Sequence, residues 1–486
     1  MAFRAGCEPA HLQNLEHTLA TTLSLVRSTI NNHRPVHKLP AEVLAIIFDY
    51  TLPSINGGFR HSGAKESDMR EERRTRVTIS HVCRRWRAVA LETASFWTLV
   101  DASQPRSWPL ACLERSGDMP LHVFLRYPLD SLTDLPLTSH GGRIRDLFLE
   151  FPRDRRALVP TELPAFIPAV PNLECLAIAT RCQTFEEGRP MVDLDLSPPL
   201  FPEPPLRLRM LILKNLCWYP SIPYEQLTHL HISQGTPVDL HALLTLLRRC
   251  TALEKLVLAD IYLANSRNIP DDDVAELPRL RLLTLGINQS RLSMRRLLRT
   301  LILPPTVTVR ISGSEAARAL GDLSPFPVLP FTATFDALSV DRSAEGLVIQ
   351  AAGPSSGLLL DFGKGYASML VSVLQHVLPS LVPFDNIKRL NIRGDRWDLA
   401  LQLLSDMPSL DIWSPRRELQ TVLRLVNSRF YLENTASFHV TRESGPPFDY
   451  ESHLERATDF EFGVADPANV PVWNLPGHRP LHPYDW

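Results

Sequence analysis

The sequence predicts an α+β chain in which an N-terminal helical module precedes an α/β repeat that stacks into an irregular solenoid. Three observations predict this class. Between residues 9 and 101, apolar residues recur every three or four positions, the spacing of amphipathic helices. Between residues 173 and 392, six segments share the pattern apolar-x-x-Leu-x-apolar. The 486 residues, 44% of them hydrophobic, suffice for more than one folded unit.

The first predicted element is an amphipathic helix between Pro9 and Asn32, within an N-terminal segment of residues 1–35. Its apolar stripe consists of Leu12, Leu15, Leu19, Leu23, Val26 and Ile30. We expect this stripe to pack against the helices that follow it. A self-associating coiled coil is the alternative, although only about three heptads fit and Thr22 interrupts the seam.

Two blocks within residues 36–101 predict a pair of short amphipathic helices. The first block runs from Lys38 to Asp49, where Pro40 suits a first helical turn because its missing N–H needs no partner there. The second block runs from Val77 to Ala90. Helices of about ten to twelve residues are too short to bury both apolar stripes against each other. Part of that apolar surface is therefore expected to meet a partner or the rest of the chain.

These two blocks resemble the F-box, in the F-box-like form that is common in fungal proteins. The family's Leu-Pro-x-Glu-Val-Leu-x-x-Ile-Phe opening matches Leu39–Phe48, and its Val-Cys-Arg-x-Trp-Arg core matches Val82–Arg87. The resemblance implies docking on a Skp-family adaptor, which would link the chain to the cullin scaffold of a ubiquitin ligase. The adaptor-binding residues are then expected to be Leu39, Pro40, Val43, Leu44, Ile47, Phe48, Ile79, Val82, Cys83 and Trp86. The alternative for the same residues is an ordinary helical hairpin of a protein core.

An insertion at residues 53–76 separates the two F-box-like blocks. It contains a Gly-Gly pair and a run of alternating charges. Such a charge run favours a solvated loop or a short exposed helix over a binding patch.

Residues 102–434 are predicted to form the solenoid. Its strands are expected at residues 173–178, 208–213, 227–232, 253–258, 280–285 and 387–392. Helix-like segments such as residues 239–249 and 291–300 lie between them. The central leucines Leu230, Leu256 and Leu283 follow each other at intervals of 26 and 27 residues, and this pattern resembles degenerate leucine-rich repeats. The period fades between residues 306 and 383, and residues 435–486 predict a cap on the last repeat or a loosely ordered tail.

Alternation along the repeat strands predicts a binding face. The central and final apolar residues of each strand point into the core, so the residues between them face the concave side. The candidate substrate-binding residues on that side are Lys214, His229, His231, Lys255, Thr284, Arg389, Asn391 and Arg393. This face mixes basic and apolar residues, which suits a protein target with acidic and hydrophobic features.

Catalytic and metal-binding motifs are incomplete, so neither an enzyme nor a cofactor is expected. The segment Gly357–Gly365 resembles a phosphate-binding loop, but its spacing is one residue too long and Gly365 replaces the hydroxyl residue. It also contains Asp-Phe-Gly, but the other kinase motifs are missing. His229 and His231 share one face of a predicted strand without a motif-spaced third ligand, which favours two exposed strand residues over a metal site.

Composition narrows the classes of partner and compartment. The formal net charge of −2 argues against nucleic acid and anionic membranes as partners. The first residues lack the apolar core of a secretion signal and no run approaches about 18 apolar residues, so a cytoplasmic or nuclear protein, or one in both places, is expected. The seven cysteines are scattered without a Cys-x-x-Cys pair, which is typical of small buried residues in a reducing compartment.

The sequence therefore predicts a substrate-recognition subunit of a Skp-cullin-F-box ubiquitin ligase. Its expected partners are the Skp-family adaptor, a cullin reached through that adaptor, and a protein substrate that the sequence does not identify. The alternative is a non-catalytic scaffold repeat protein whose F-box-like helices recruit no ligase.

Overall fold

A computed structural model of the protein describes residues 9–52, 66–126, 137–151, 169–180, 200–216, 219–233, 237–238, 240–259, 262–263, 273–286, 294–313, 329–343, 346–362, 378–382, 386–387, 389–393, 409–414, 437–442 and 460–464. The chain divides into two compact units, Met1–Phe148 and Leu149–Trp486. Helices dominate the described part of the first unit and strands that of the second. The chain is therefore an α+β protein, and its first unit extends beyond the boundary predicted at residue 101.

The first unit is mainly helical. Its helices are α1 (Pro9–Asn32), α2 (Ala41–Thr51), α3 (Glu66–Val82), α4 (Arg84–Glu92), α5 (Ser107–Arg115) and α6 (Leu137–His140). Short 3-10 turns lie at Pro35–Lys38, Ala94–Trp97 and Gly141–Arg143. Strands β1 (Leu99–Asp101), β2 (Leu121–Arg126) and β3 (Ile144–Phe151) are successive neighbours in a sheet, with β1 parallel to β2.

Helix α1 has the predicted bounds but not the predicted packing. Its apolar stripe is exposed, with between 50% and 61% of each of the six side chains accessible. Helix α1 contacts the turn at Pro35–Lys38, and Ser24 Oγ accepts a hydrogen bond of 2.9 Å from Arg84 Nη2. The expectation that the stripe packs against the following helices is therefore wrong.

The second of the two sequence blocks, Val77 to Ala90, forms parts of two helices instead of one. Helix α3 ends at Val82, and Cys83 has an extended backbone with φ −160° and ψ 170°. The Cys83 sulfur caps α4 by accepting a hydrogen bond from the Trp86 N–H at 3.4 Å. The chain therefore changes direction inside the Val-Cys-Arg-x-Trp-Arg core.

The described part of the predicted insertion, residues 66–76, belongs to helix α3. One side of this 17-residue helix is buried, and there Glu72 and Arg76 form an ion pair next to Met69. Burial raises the pKa of Glu72 against the lowering effect of Arg76. The charge run is thus not a solvated loop or a short exposed helix. Residues 53–65 lie outside the described residues.

An aromatic cluster forms the core of the helical module. The Phe48 ring lies 5.0 Å from the Trp86 ring and 6.2 Å from the Phe96 ring, centroid to centroid. Phe96 in turn contacts Trp97 edge-on at 5.8 Å. The Trp97 indole N–H donates to the Ala90 carbonyl at 2.7 Å, which ties the turn after α4 back onto that helix. Ring pairs of this geometry stabilise a fold by about 0.5–1.5 kcal/mol each beyond their area burial.

The second unit is built on strands. They are β4 (Cys175–Thr180), β5 (Met210–Lys214), β6 (His229–Ser233), β7 (Pro237–Val238), β8 (Lys255–Ala259), β9 (Tyr262–Leu263), β10 (Ala275–Glu276), β11 (Leu282–Gly286), β12 (Leu301–Ile302), β13 (Thr308–Ser312), β14 (Ala337–Ser343), β15 (Gly346–Ala352), β16 (Gly357–Asp361), β17 (Arg389–Arg393), β18 (Ser409–Ser414), β19 (Ser437–Arg442) and β20 (Phe460–Val464). Helices α7 (Leu240–Arg249), α8 (Met294–Thr300) and α9 (Leu378–Leu381) and the 3-10 turn Pro330–Thr334 lie between them.

The main sheet of this unit runs in the order β4-β5-β6-β8-β11-β13-β16-β15-β14-β17-β18-β19-β20. All described pairs are parallel except those of β15, which runs antiparallel to β14 and β16. The central leucines of the predicted repeats lie in register across five strands, and each is exposed by 1% or less. They are Leu176, Leu211, Leu230, Leu256 and Leu283. Strands β19 and β20 continue the parallel sheet into residues 435–486, where a cap or tail was predicted.

Each repeat strand starts two residues later than the sequence pattern suggests. In five of the repeats the first apolar residue closes a turn, because its N–H donates to the carbonyl three residues earlier at 3.1 to 3.2 Å. These residues are Leu173, Leu208, Leu227, Leu253 and Leu280, and all of them are buried. The predicted helices at 239–249 and 291–300 are present as α7 and α8. The sequence also predicts helices at 367–377, 396–405 and 416–428, and these lie outside the described residues.

Candidate functional site

Helix α2 presents two different sides. On one side Leu44 and Phe48 are fully buried, because they pack onto α4 and the turn at Ala94–Trp97. On the other side an apolar stripe is between 37% and 87% exposed. This stripe, the α2 face, consists of Val43, Ile46, Ile47 and Tyr50. Their spacing of three and four residues places them along one side of the helix.

The turn before α2 is clamped onto α4 by Arg85. Its guanidinium donates one hydrogen bond to the carbonyl oxygen of His37 and another to that of Leu39. Cys83 Sγ lies 3.5 Å from His37 Nε2 beside this clamp. Pro40 follows as the N-cap of α2, and its carbonyl accepts a hydrogen bond from Leu44 N–H at 3.1 Å. The start of the α2 face is therefore held by contacts with a charged donor, which are stronger than neutral ones.

The structure divides the predicted adaptor-binding residues into three groups. Pro40, Val43, Ile47 and Val82 are exposed, and Leu39, Cys83 and Trp86 are half-buried. Leu44, Phe48 and Ile79 lie in the core, so they support the surface from beneath and do not reach a partner. Sequence reasoning missed Ile46 and Tyr50, although both follow Val43 at helical spacing, and it missed the role of Arg85.

The strand register of the second unit places the other candidate residues at equivalent positions. His229 pairs with Lys255 at the first position of their strands, and His231 shares the third position with Thr284. Lys214 lies at the fifth position, next to Ser233. Side chains at the first, third and fifth positions of neighbouring strands lie on one side of the sheet, here called the ladder face.

Burial varies across the ladder face. His231 and Thr284 are almost fully buried, so they are not surface contact residues as predicted, whereas Lys214, His229 and Lys255 are half-buried. Burial lowers the pKa of Lys255, because removal of water disfavours the ammonium ion. Its first-position register with His229 places Lys255 on the ladder face.

Arg310 extends the ladder face by one strand and was not found from the sequence. It pairs in register with Thr284 on β11, and its guanidinium lies 3.8 Å from the Asp361 carboxylate. Burial lowers the pKa of Arg310, and Asp361 opposes that effect. The signal was hidden because Val307 is followed by Val309 at two residues, where the earlier repeats have a spacing of three.

Strand β17 carries the three remaining candidate residues. Arg389, Asn391 and Arg393 pair with Ala337, Ser339 and Asp341 of β14, at first, third and fifth positions. The register through β16, β15 and β14 places them at the positions equivalent to Thr308, Arg310 and Ser312. Six strand spacings of about 4.8 Å separate β8 from β17, so Lys255 and Arg389 are roughly 29 Å apart along the sheet. A single small ligand could not span both ends of the face.

Clusters of metal-ligating or nucleophilic side chains are sparse among the residues that the structure describes. No group of three or more His, Cys, Asp or Glu side chains there could hold a metal ion. Cys112 and Cys250 are buried, and burial raises the pKa of each thiol to about 12. The loop-like segment at Gly357 begins with strand β16, and its remainder from residue 363 lies outside the described residues. In the described part of the chain no helix is both long and apolar enough to cross a membrane.

Comparison with models of known protein families gives no match, and comparison with curated proteins gives none either. The α2 face and the ladder face are therefore the features from which function is inferred.

Proposed function

We propose that the chain is the substrate-recognition subunit of a Skp-cullin-F-box ubiquitin ligase. The α2 face would dock on the Skp-family adaptor, and the ladder face would bind the protein substrate. The observation that carries the proposal is the α2 face itself, a contiguous apolar stripe left exposed on a helix whose other side is fixed in an aromatic core. Exposed apolar stripes of this kind mark protein interaction surfaces.

The α2 face has the properties of a preorganised interface. Phe48 and Trp86 fix the helix from beneath, and the Arg85 clamp fixes its first turn. This chain would therefore lose little conformational entropy when a partner covers Ile46 and Tyr50. Such anchors on rigid elements are where binding energy concentrates.

The proposed subunit would act by holding the substrate close to the transferring enzyme. A substrate held on the ladder face and an adaptor held on the α2 face would belong to one complex, which raises the effective concentration of the substrate near the transferring enzyme. The half-buried cations Lys214 and Lys255 suit a substrate with acidic side chains, because partly desolvated charges attract their partners more strongly than solvated ones.

The adaptor test uses the purified full chain and a Skp-family adaptor in isothermal titration calorimetry. The double change Leu39→Ala and Pro40→Ala should weaken adaptor binding by about 2 kcal/mol or more, as interface hot spots do. Ile46→Asp with Tyr50→Asp should weaken it at least as much, because two charges would enter an apolar contact. The control is Leu206→Asp, at an exposed leucine of the second unit. Unchanged affinity of both double variants with native circular dichroism would leave the scaffold alternative in place.

The substrate test reverses charge at three ladder-face positions. Lys255→Glu, Arg389→Glu and Arg393→Glu together should abolish capture of the substrate found by proximity labelling, while adaptor affinity stays unchanged. Single changes are expected to have small effects, since rim charges mostly affect association rates. Normal ubiquitination of the captured substrate by the triple variant would disprove the role of the ladder face.

A further inference from the structure

The exposed stripe of helix α1 remains unused by the proposed function. The stripe consists of Leu12, Leu15, Leu19, Leu23, Val26 and Ile30, each at least half exposed. A helix of 24 residues with six such side chains in a row on one side exposes more contiguous apolar surface than single scattered residues do. The side chains of the described residues leave this stripe uncovered.

The stripe has an eleven-residue repeat. Leu12, Leu15 and Leu19 are followed after eleven residues each by Leu23, Val26 and Ile30. An eleven-residue repeat has about 3.67 residues per turn, close to the 3.6 of a straight helix. The stripe therefore stays within an arc of about 80° and runs parallel to the helix axis over about 27 Å. Its natural complement is a second nearly straight apolar helix.

One flank of the stripe can be desolvated at little free-energy cost. It carries Thr18, Thr22 and Thr29, whose hydroxyls donate to carbonyls four residues earlier in the same helix, at 2.8, 2.8 and 3.1 Å. A buried hydroxyl is costly only when its hydrogen bond is lost. Since these donors are already satisfied within α1, a partner can cover them at little cost. The interruption of the heptad seam at Thr22 is therefore not an obstacle to association.

The other flank carries the charges that select the partner. Glu16 and Arg27 both lie there, and they are the only Asp, Glu, Lys or Arg residues within α1. The stripe is nearly symmetric about residue 21, so in an antiparallel pair Leu12 meets Ile30 and Leu19 meets Leu23 of the other helix. A two-fold antiparallel pair brings like flanks together, which places Glu16 opposite Arg27. A parallel pair would place both charges opposite the threonine flank.

We propose that α1 binds α1 of a second copy of this chain, antiparallel, and that the protein is a homodimer through this helix. The self-complementary stripe, the internally satisfied threonine flank and the reciprocal Glu16–Arg27 pairing all fit the same two-fold arrangement. The dimer would present two copies of the chain to adaptor and substrate, although the inference does not depend on the ligase proposal.

The test is sedimentation velocity of the full chain over a range of concentrations. The wild-type chain should show a concentration-dependent dimer. Leu19→Glu with Leu23→Glu, at the centre of the stripe, should be monomeric throughout because four carboxylates would meet in an apolar contact. The control is Thr21→Glu, since Thr21 is exposed at the middle of the same helix but lies on the side opposite the stripe. It should dimerise as the wild type does.

A charge exchange tests the orientation with helices that should all fold. Glu16→Arg should weaken dimerisation about three- to tenfold, because two Arg–Arg contacts replace two ion pairs. Glu16→Arg combined with Arg27→Glu should restore the wild-type dimerisation constant. A wild-type chain that stays monomeric, a dimer that survives the Leu19 and Leu23 changes, or a charge exchange without restoration would each overturn the proposal.

Discussion

The helical module of the first unit and the main sheet of the second unit, here called the ladder, use their apolar residues in opposite ways. In the ladder, the central leucines of five strands are exposed by 1% or less, so nearly all apolar surface at those positions is consumed by the fold. In the module, α2 buries Leu44 and Phe48 but leaves Ile46 and Tyr50 outside. Association through the module should therefore be driven by apolar burial, and association through the ladder face by partly desolvated cations.

The two regions also differ in how their stability is distributed. Five strands of the main sheet repeat the same turn bond and the same buried leucine, so their stability does not depend on any single residue. The module depends on one aromatic cluster and one arginine clamp. Single substitutions in the module should thus have larger effects than single substitutions on the ladder face.

The largest effect is expected for Trp86→Ala. Its ring packs against Phe48 at 5.0 Å in the centre of the module, so removing it should destabilise the first unit by about 3–5 kcal/mol. Denaturant unfolding followed by far-UV circular dichroism measures this change. Trp86→Phe should cost much less, because it keeps an aromatic ring and removes a buried indole N–H that has no hydrogen-bond partner among the described residues.

The control for Trp86 is Tyr50→Ala on the exposed side of α2. Tyr50 is the most exposed apolar residue of the α2 face, so the unfolding free energy should change by no more than about 0.5 kcal/mol. A Trp86→Ala protein with wild-type stability would show that the aromatic cluster does not hold the module together.

A smaller loss is expected for Arg85→Met. The substitution keeps the apolar stem but removes both hydrogen bonds to the carbonyls of His37 and Leu39, which should destabilise the module by about 2 kcal/mol. Arg87→Met, on an exposed position of the same helix, is the matched control and should be nearly silent. Equal thermal denaturation curves for the two variants would contradict the clamp.

Periodicity predicted where the elements lie better than which side chains stay outside. Helix α1 and the six repeat strands were found because apolar spacing survives in the sequence. The spacing could not say that Leu44 is buried and Ile46 exposed, since both belong to one amphipathic helix and its packing onto α4 and the turn at Ala94–Trp97 decides between them. The same limit explains the wrong packing expected for α1, where the stripe was clear but its cover was not.

Two local features could not be predicted from the sequence, each for a definite physical reason. The break at Cys83 was missed because a cysteine is not an expected N-cap, yet its sulfur accepts the Trp86 N–H where serine or aspartate would normally act. Strand β13 was missed because valines replace the repeat leucines, and Val307 precedes Val309 by two residues where the earlier repeats have a spacing of three. In each case backbone geometry, which the residue pattern does not carry, determined the structure.

The smallest effect is expected on the ladder face, for Lys255→Met. Burial lowers the pKa of Lys255 in the folded state, so at neutral pH the folded chain carries the cost of a partly desolvated ammonium ion. The methionine variant should therefore be more stable at pH 7, by about 1 kcal/mol. Arg281→Met, whose side chain is exposed beside the neighbouring strand, is the control and should show no gain.

The pH dependence of that difference gives the sharper test. As pH rises toward the ordinary lysine value of 10.5, folded Lys255 loses its proton while the unfolded chain still holds it. The unfolded state then binds more protons, so wild-type stability rises with pH relative to the variant, and the gain from Lys255→Met should shrink and disappear. Urea denaturation of both proteins between pH 7 and pH 11 follows this. A gain that stays constant over this range would mean that burial of the ammonium ion is not its cause, and the ladder face would then lack the desolvated cation on which its proposed attraction for acidic substrates rests.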